Sequence, residues 1–316
     1  MSILLHRDSR ILVQGITGGQ AQVDTERALR YGARIVAGVT PGRGGERVHE
    51  VPVFDTVARA VAATPIDATA IYAPPLAVRD AALESIDAAV PLLVVMAEGV
   101  PLHDVALIVR TARESGVLLV GCNTNGVISP GKSRIGGIGG VDPSEIYVSG
   151  RIGICSRSGG MAAELALTLK RSGLGVSTCV SMGGDRITGL RMADYARMFE
   201  ADEETEAIVV FGEPGTGNEQ ELAGAMSRRE VTKPVVALIA GAFQERYPAG
   251  RSFGHAAALI QSAGDTASAK RKALEAAGAH VAQALEDIPR LLAAAGVAVP
   301  TAIQSRREGE TDASPA

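Results

Sequence analysis

The sequence predicts an α/β protein built from two doubly wound domains, one following the other along the chain. Three observations predict it. Short, continuous apolar runs alternate with segments of helical spacing along nearly the whole chain, as strands buried on both faces of a parallel sheet and their crossover helices require. The composition is 46% hydrophobic with 37 glycines and no tryptophan, which suits an Ala/Val/Gly-rich α/β chain better than an aromatic-rich sandwich. At 316 residues the chain has the length of two domains, since domains run about 100–200 residues.

Taken in order, five strands are expected in the first 125 residues: RILVQGI, ARIVAGV, ATAIYAP, LLVVMAEG and VLLVGCN. Helices are expected at residues 20–32, 55–63, 78–89 and 102–115, with Gly32 and Gly116 placed to end two of them. Repeated βαβ units imply right-handed crossovers. Residues 126–150 are rich in Gly, Pro and Ser and read as a connector. A second series follows in 151–300: RIGICSRS, VSTCVSMGG, AIVVFGEPG, PVVALIAG and AHVAQAL as strands, with helices at 160–172, 190–200, 217–229 and 266–277. Residues 301–316 are polar, contain Pro and Ser, and read as a disordered tail.

Net charge is −4 and the isoelectric point about 5.8. That leaves no broad electrostatic footprint for nucleic acid or an anionic membrane. No apolar window is long enough to span a bilayer, and the opening MSILLHRDSR lacks the pattern of a signal peptide. Cys122, Cys155 and Cys179 are odd in number, widely spaced and without a CxxC pair. They read as reduced thiols of a cytoplasmic protein. Cys155 and Cys179 lie in apolar runs; Cys122 lies in a Gly/Asn loop.

The chemistry-bearing stretches sit at strand ends. Gln14-Gly15-Ile16-Thr17-Gly18-Gly19-Gln20 follows the first strand and opens the first helix. A glycine-rich turn there lets backbone N–H groups and the helix dipole approach a phosphate. Its spacing is not G-x-G-x-x-G, and Arg43 stands where a ribose-binding carboxylate would be expected. Both points argue against a nicotinamide dinucleotide and toward a phosphate-bearing ligand; a solvated loop charge is the alternative for Arg43.

The second series repeats the theme. Ser156-Arg157-Ser158-Gly159-Gly160-Met161 follows a strand and opens a helix, a start suited to a phosphoryl group or a carboxylate, with a plain serine N-cap as the alternative. Gly212-Glu213-Pro214-Gly215 places one carboxylate at a strand end. An acid after an apolar run is costly to bury without a partner, and a histidine suits it, because a carboxylate orients an imidazole. Of five histidines, only His255 is flanked by Gly254 on one side and Ala256 and Ala257 on the other. Small neighbours leave room for something bulky; a core or capping histidine is the alternative. No metal-ligand cluster is visible, and Ser158 is not in a G-x-S-x-G elbow.

With these motifs in order, and with GVTPGRGG, PVFDTVARAVAAT, AEGVP, NGVISPGK, GGD, TKPVV and FGHA beside them, residues 3–295 resemble the α subunit of succinyl-CoA synthetase and its relatives, the nucleotide-dependent acid–CoA ligases. The resemblance implies a Rossmann-like CoA-binding domain and a flavodoxin-like domain. It also implies an ATP-grasp β partner, in αβ or α2β2 assembly, that holds most of the ATP or GTP with Mg2+. By resemblance His255 is the phosphorylated residue and Glu213 the acid that holds its imidazole. Ser156, Ser158, Gly159 and Gly160 match the helix start facing the phosphohistidine and acyl phosphate. Thr17, Gly18, Gly19 and Gln20 match the CoA loop, with Met96, Ala97 and Glu98 beside it. Arg43 stands where the family usually has lysine.

Departures from the family bear on the acid. Ala163 stands where the succinate-contacting tyrosine is expected, and SRSGGM is more similar to ATP-citrate lyase and citryl-CoA synthetase. The loop Gly121–Gly126 reads GCNTNG where the family has GPNCPG. The segment before His255 is longer and carries Arg246 and Arg251, which either meet further substrate carboxylates or are solvated. The expected substrate is therefore a di- or tricarboxylate other than succinate, such as malate, citrate or itaconate. A non-catalytic CoA-binding regulator of the same fold is the alternative, and an oxidoreductase is disfavoured by the missing ribose-binding acid.

Overall fold

The central apolar runs become strands because they are buried on both faces. The computed structural model describes residues 2–251, 253–255 and 257–299. The first sheet contains β1 (Arg10–Gln14), β2 (Arg34–Val39), β3 (Arg47–Val48), β4 (Val51–Phe54), β5 (Ala68–Ile71), β6 (Leu92–Val95) and β7 (Leu118–Val120). Their order is β3-β4-β2-β1-β5-β6-β7, parallel except for the short β3. Helices α1 (Gly19–Tyr31), α2 (Val57–Ala63), α3 (Val78–Asp87) and α4 (Leu102–Glu114) make the crossovers. The strand order reverses between β1 and β5, and the crevice there is where such sheets bind ligands.

The second sheet contains β8 (Gly126–Ser129), β9 (Ser133–Ile135), β10 (Ser149–Ser156), β11 (Val176–Ser181), β12 (Ala207–Gly212), β13 (Val235–Ile239) and β14 (His280–Ala282). Its order is β14-β13-β12-β10-β11-β8-β9. Around it lie α5 (Gly159–Arg171), α6 (Met192–Ala201), α7 (Asn218–Ser227), α8 (Ala267–Ala276) and α9 (Asp287–Ala294). Here the reversal falls between β10 and β12, so the turns after these two strands face one crevice.

Two expectations change. Residues 126–150, expected as a connector, carry β8 and β9, which extend the second sheet in antiparallel fashion. These strands are four and three residues long, and their glycine- and serine-rich sequence hides the apolar run that marks a strand. Helix α9, the edge strand β3 and its neighbour β4 were not expected either; each is too short to show a period. The tail expected at 301–316 lies outside the described residues.

Local chemistry sets the helix ends. Thr56, Ser158 and Thr266 each cap a helix, their hydroxyls accepting N–H bonds from Arg59, Met161 and Ala269. Gly32 ends α1 in the left-handed region at φ +98°, which glycine adopts without strain.

The domains are joined closely. Leu190 N donates to Leu119 O and Gly189 N to Gly121 O, each at 2.8 Å, so the segment after β11 covers the free edge of β7. Arg134, fully buried, donates to Gly140 O at 3.0 Å and Gly136 O at 3.3 Å. One apolar cluster runs from Ile11 and Val94 in the first sheet to Val180 and Val210 in the second. All three cysteines are free and buried, Cys122 included.

Candidate active site

His255 and Glu213 meet, 42 residues apart in sequence. Nδ1 of His255 lies 2.8 Å from Oε1 and 2.9 Å from Oε2 of Glu213. A carboxylate only accepts, so Nδ1 carries the proton and donates, leaving the Nε2 lone pair free. The Glu213 side chain is 10% exposed and the imidazole 40%. The hydrogen bond to Glu213 raises the histidine pKa above its ordinary value, against the opposing effect of burial. Arg157 adds to the lowering effect of burial and Glu98 to the raising effect of Glu213.

The turns after three neighbouring strands converge here. Glu213 follows β12. Gly184, after β11, stands against the imidazole ring, with space for no more than an ordinary contact. Arg157, after β10, is buried at 1% exposure and ties the three turns together. Its guanidinium donates to Thr216 Oγ1 at 3.1 Å, to Gly184 O at 3.3 Å and to Asp185 O at 3.2 Å. Gly215 has φ +75°, and a Cβ there would collide with Ala257 O; its bare backbone lets the histidine loop lie on the Glu213 turn.

The helix start at 156–160 is both a cap and an open N-terminus. Ser156 Oγ donates to Ser158 O at 2.6 Å and accepts from Ser158 N at 3.1 Å, which fixes the turn. Ser158 Oγ caps α5. Gly159 packs against Asn125, and Gly160 is exposed. Ala163 lies half-buried one turn further along α5.

On the first sheet, Thr17, Gly18, Gly19 and Gln20 lie at the carboxyl end of β1, with the last three exposed at the start of α1. Thr17 Oγ1 donates to Thr40 Oγ1 at 3.2 Å, and Gln20 donates to Asp24 at 3.0 Å. Met96, Ala97 and Glu98 follow β6 on the same edge, with Met96 and Ala97 half-buried and Glu98 exposed. Arg43 stands apart, its exposed guanidinium held by both oxygens of Glu46. Arg246 and Arg251 are exposed in the loop before His255, where the rings of Phe243, Tyr247 and Phe253 cluster at centroid distances of 5.0–5.1 Å.

The two edges are connected. Ala97 O accepts from Asn123 N at 2.9 Å, and Asn123 Nδ2 donates to Asp185 Oδ1 at 3.0 Å. Burial pushes the Asp185 carboxyl upward, opposed by that hydrogen bond. Asp185, the structural use of Arg157, and the buried pair Glu219 and Lys270 beneath Glu213 escaped the sequence reading. Arg157 sits inside a motif read for its serines, and Lys270 sits in a helix whose charges look solvated.

Residues 6–99 match the CoA binding domain and residues 155–280 the CoA-ligase domain. The chain is 43% identical over 288 residues to the succinate–CoA ligase [ADP-forming] α subunit 1 of Archaeoglobus fulgidus, covering 91% of this chain and 96% of that one. The chain belongs to the family of succinate–CoA ligase α subunits. Another relative is the malate–CoA ligase α subunit of Methylorubrum extorquens, 40% identical over 286 residues, with 89% of this chain and 94% of that one covered. The ATP citrate lyase of Methanosaeta concilii, solved with (3S)-citryl-CoA, superposes with a TM-score of 0.86 at 27% identity. That match covers 93% of this α subunit but spans about half the length of the lyase chain, 50%. Within the family the chain is thus an acid–thiol ligase subunit whose relatives take more than one acid. Among its described residues no helix is long and apolar enough to cross a membrane, and no three His, Cys, Asp or Glu residues group to hold a metal ion.

Proposed function

We propose that this chain is the α subunit of an ADP- or GDP-forming ligase that joins a di- or tricarboxylate to CoA through a phosphohistidine at His255. The double contact of Glu213 with Nδ1 of His255, in the crevice between β10 and β12, carries the reading. It leaves Nε2 as the nucleophile. Nε2 attacks the γ-phosphorus and ADP leaves. The imidazolium that forms is stabilised by Glu213. A carboxylate oxygen of the acid then takes the phosphoryl group, giving an acyl phosphate and restoring His255. The CoA thiolate attacks the acyl carbon and inorganic phosphate leaves.

The start of α5, with Ser158, Gly159 and Gly160, supports the phosphoryl group with N–H donors and the helix dipole. Thr17–Gln20, Met96–Glu98 and Arg43 serve CoA, Arg43 by exchanging Glu46 for a phosphate. In this reading ATP or GTP with Mg2+ is held mainly by an ATP-grasp β subunit, in αβ or α2β2 assembly. The place of action is the cytoplasm. Malate, citrate and itaconate are favoured over succinate, because Ala163 removes a phenol and enlarges the pocket. The similarity to a malate–CoA ligase α subunit and to a citryl-CoA-bound lyase supports this.

The test is labelling of the α/β pair with γ-labelled ATP, followed by a chase with CoA and a panel of carboxylates. Acid-labile label on wild type but not on His255→Ala, discharged by one acid, is the expected result. An unlabelled wild type beside a competent β subunit would leave the non-catalytic CoA-binding reading in its place.

A further inference from the structure

Glu219 on α7 and Lys270 on α8 are both completely buried and form an ion pair directly beneath Glu213. Lys270 Nζ donates to Glu219 Oε2, to Glu213 O at 2.7 Å and to Gly215 O. Glu219 Oε1 accepts from Glu213 N at 3.2 Å. The three ammonium hydrogens therefore have three acceptors, and both carboxylate oxygens have donors. The N–H and the C=O of the same residue, Glu213, end on the two halves of one buried pair.

We propose that the Glu219–Lys270 pair is the positioning device of this site: it clamps the main chain of Glu213 and thereby sets where its carboxylate meets His255. The proposal rests on the phosphohistidine reading for its purpose, but its geometry stands alone. Gly212 supports it independently, since a Cβ at 212 would collide with Oε1 of Glu219. The strand thus ends in the one residue that admits the carboxylate beneath it. Energetics point the same way. Removing two charges from water costs about as much as their attraction returns, and apolar replacements of such pairs are often neutral or stabilising. A fully buried pair that bonds both main-chain groups of Glu213 is better accounted for by geometry than by stability.

Loosening Glu213 weakens its bond to Nδ1, so the histidine titration reports the clamp. The other charged groups facing His255 are Arg157 and Glu98, with Asp185 beside Gly184; those acting on Lys270 are Glu219, Arg157 and Asp265. None of them belongs to the substitutions below except Glu219.

The experiment follows the His255 ring by NMR across pH in the full-length chain, comparing wild type, Glu213→Gln, Lys270→Met and the double variant Glu219→Gln/Lys270→Met. The double variant removes both charges and so avoids a buried unpaired carboxylate that could prevent folding. The expected result is a His255 midpoint that falls in folded clamp variants, in the direction set by Glu213→Gln, with phosphorylation by the α/β pair slowed at least about tenfold. Lys270→Arg, which keeps a donor cation, restores part of both. A lowered melting temperature with an unchanged His255 midpoint in the folded double variant would overturn the proposal. Because the titration needs no nucleotide and no partner, an absence of phosphorylation in wild type would count against the ligase reading and leave the clamp result standing.

Discussion

Glu213 holds the Nδ1 edge of His255 with both of its carboxylate oxygens, 2.8 and 2.9 Å away. The pair joins the turn after β12 to a loop that begins after β13, and Arg157 fastens that turn to the strands on the other side. A histidine, the carboxylate that orients it and an open helix start therefore share one crevice. Expectations about rate and pH follow from which nitrogen is left free.

In the proposed mechanism, attack on the phosphoryl group needs Nε2 unprotonated. Glu213 raises the His255 pKa, so the rate of phosphoryl acceptance rises with pH through that raised value. Glu213→Gln moves this limb to lower pH and slows the step by about 100-fold or more, by loss of orientation and of imidazolium stabilisation. Single-turnover labelling between pH 5.5 and 9 measures both.

The same linkage affects folding. A group whose folded pKa is raised adds stability below its unfolded pKa, and that stability is lost as pH rises through the folded value. The melting-temperature advantage of wild type over His255→Ala should therefore be larger at pH 5.5 than at pH 9. Thermal denaturation of both chains at the two pH values checks the sign.

Ala163→Tyr returns a phenol to the place where the family resemblance implies one. The kcat/KM ratio of succinate to a bulkier or hydroxylated acid should rise about tenfold, the effect of one added donor. Steady-state rates with succinate, malate and citrate measure it.

All three thiols are buried. Burial pushes Cys122 up to about 12, with Asp185 adding to the effect, and drives Cys155 and Cys179 upward as well. At pH 8 the thiolate fraction of Cys122 is about 10⁻⁴. A thiol-reactive chromophore should find no fast-reacting group in the native chain and three in denaturant.

Gly183 has φ +107°, and a Cβ there would collide with Cys122 O across the domain boundary. Gly183→Ala should cost about 1–3 kcal/mol, read from chemical denaturation. It should also weaken CoA-dependent turnover, because the Asn123–Asp185 link spans the same junction.

Much of the fold and site can be read from the chain alone. β1, β2, β5, β6 and the core strands of the second sheet are continuous apolar runs, and burial on both faces demands that pattern. The helix start at Ser158 shows in its capping residue. Glu213 and His255 stand out because an acid after VVF, and a histidine between glycine and alanine, are chemically unusual. These features are local, so sequence alone determines them: which segments are core strands, which turns carry glycine, and which side chains can carry charge. Tertiary structure alone decided the rest. β8 is a strand because β11 offers it an edge, and β9 because β8 does. Arg157, Asp185, Glu219 and Lys270 gain their roles from groups 6 to 62 residues away in sequence. A buried charge is tolerated only where the folded chain supplies its partners, and such partners leave no trace in local spacing.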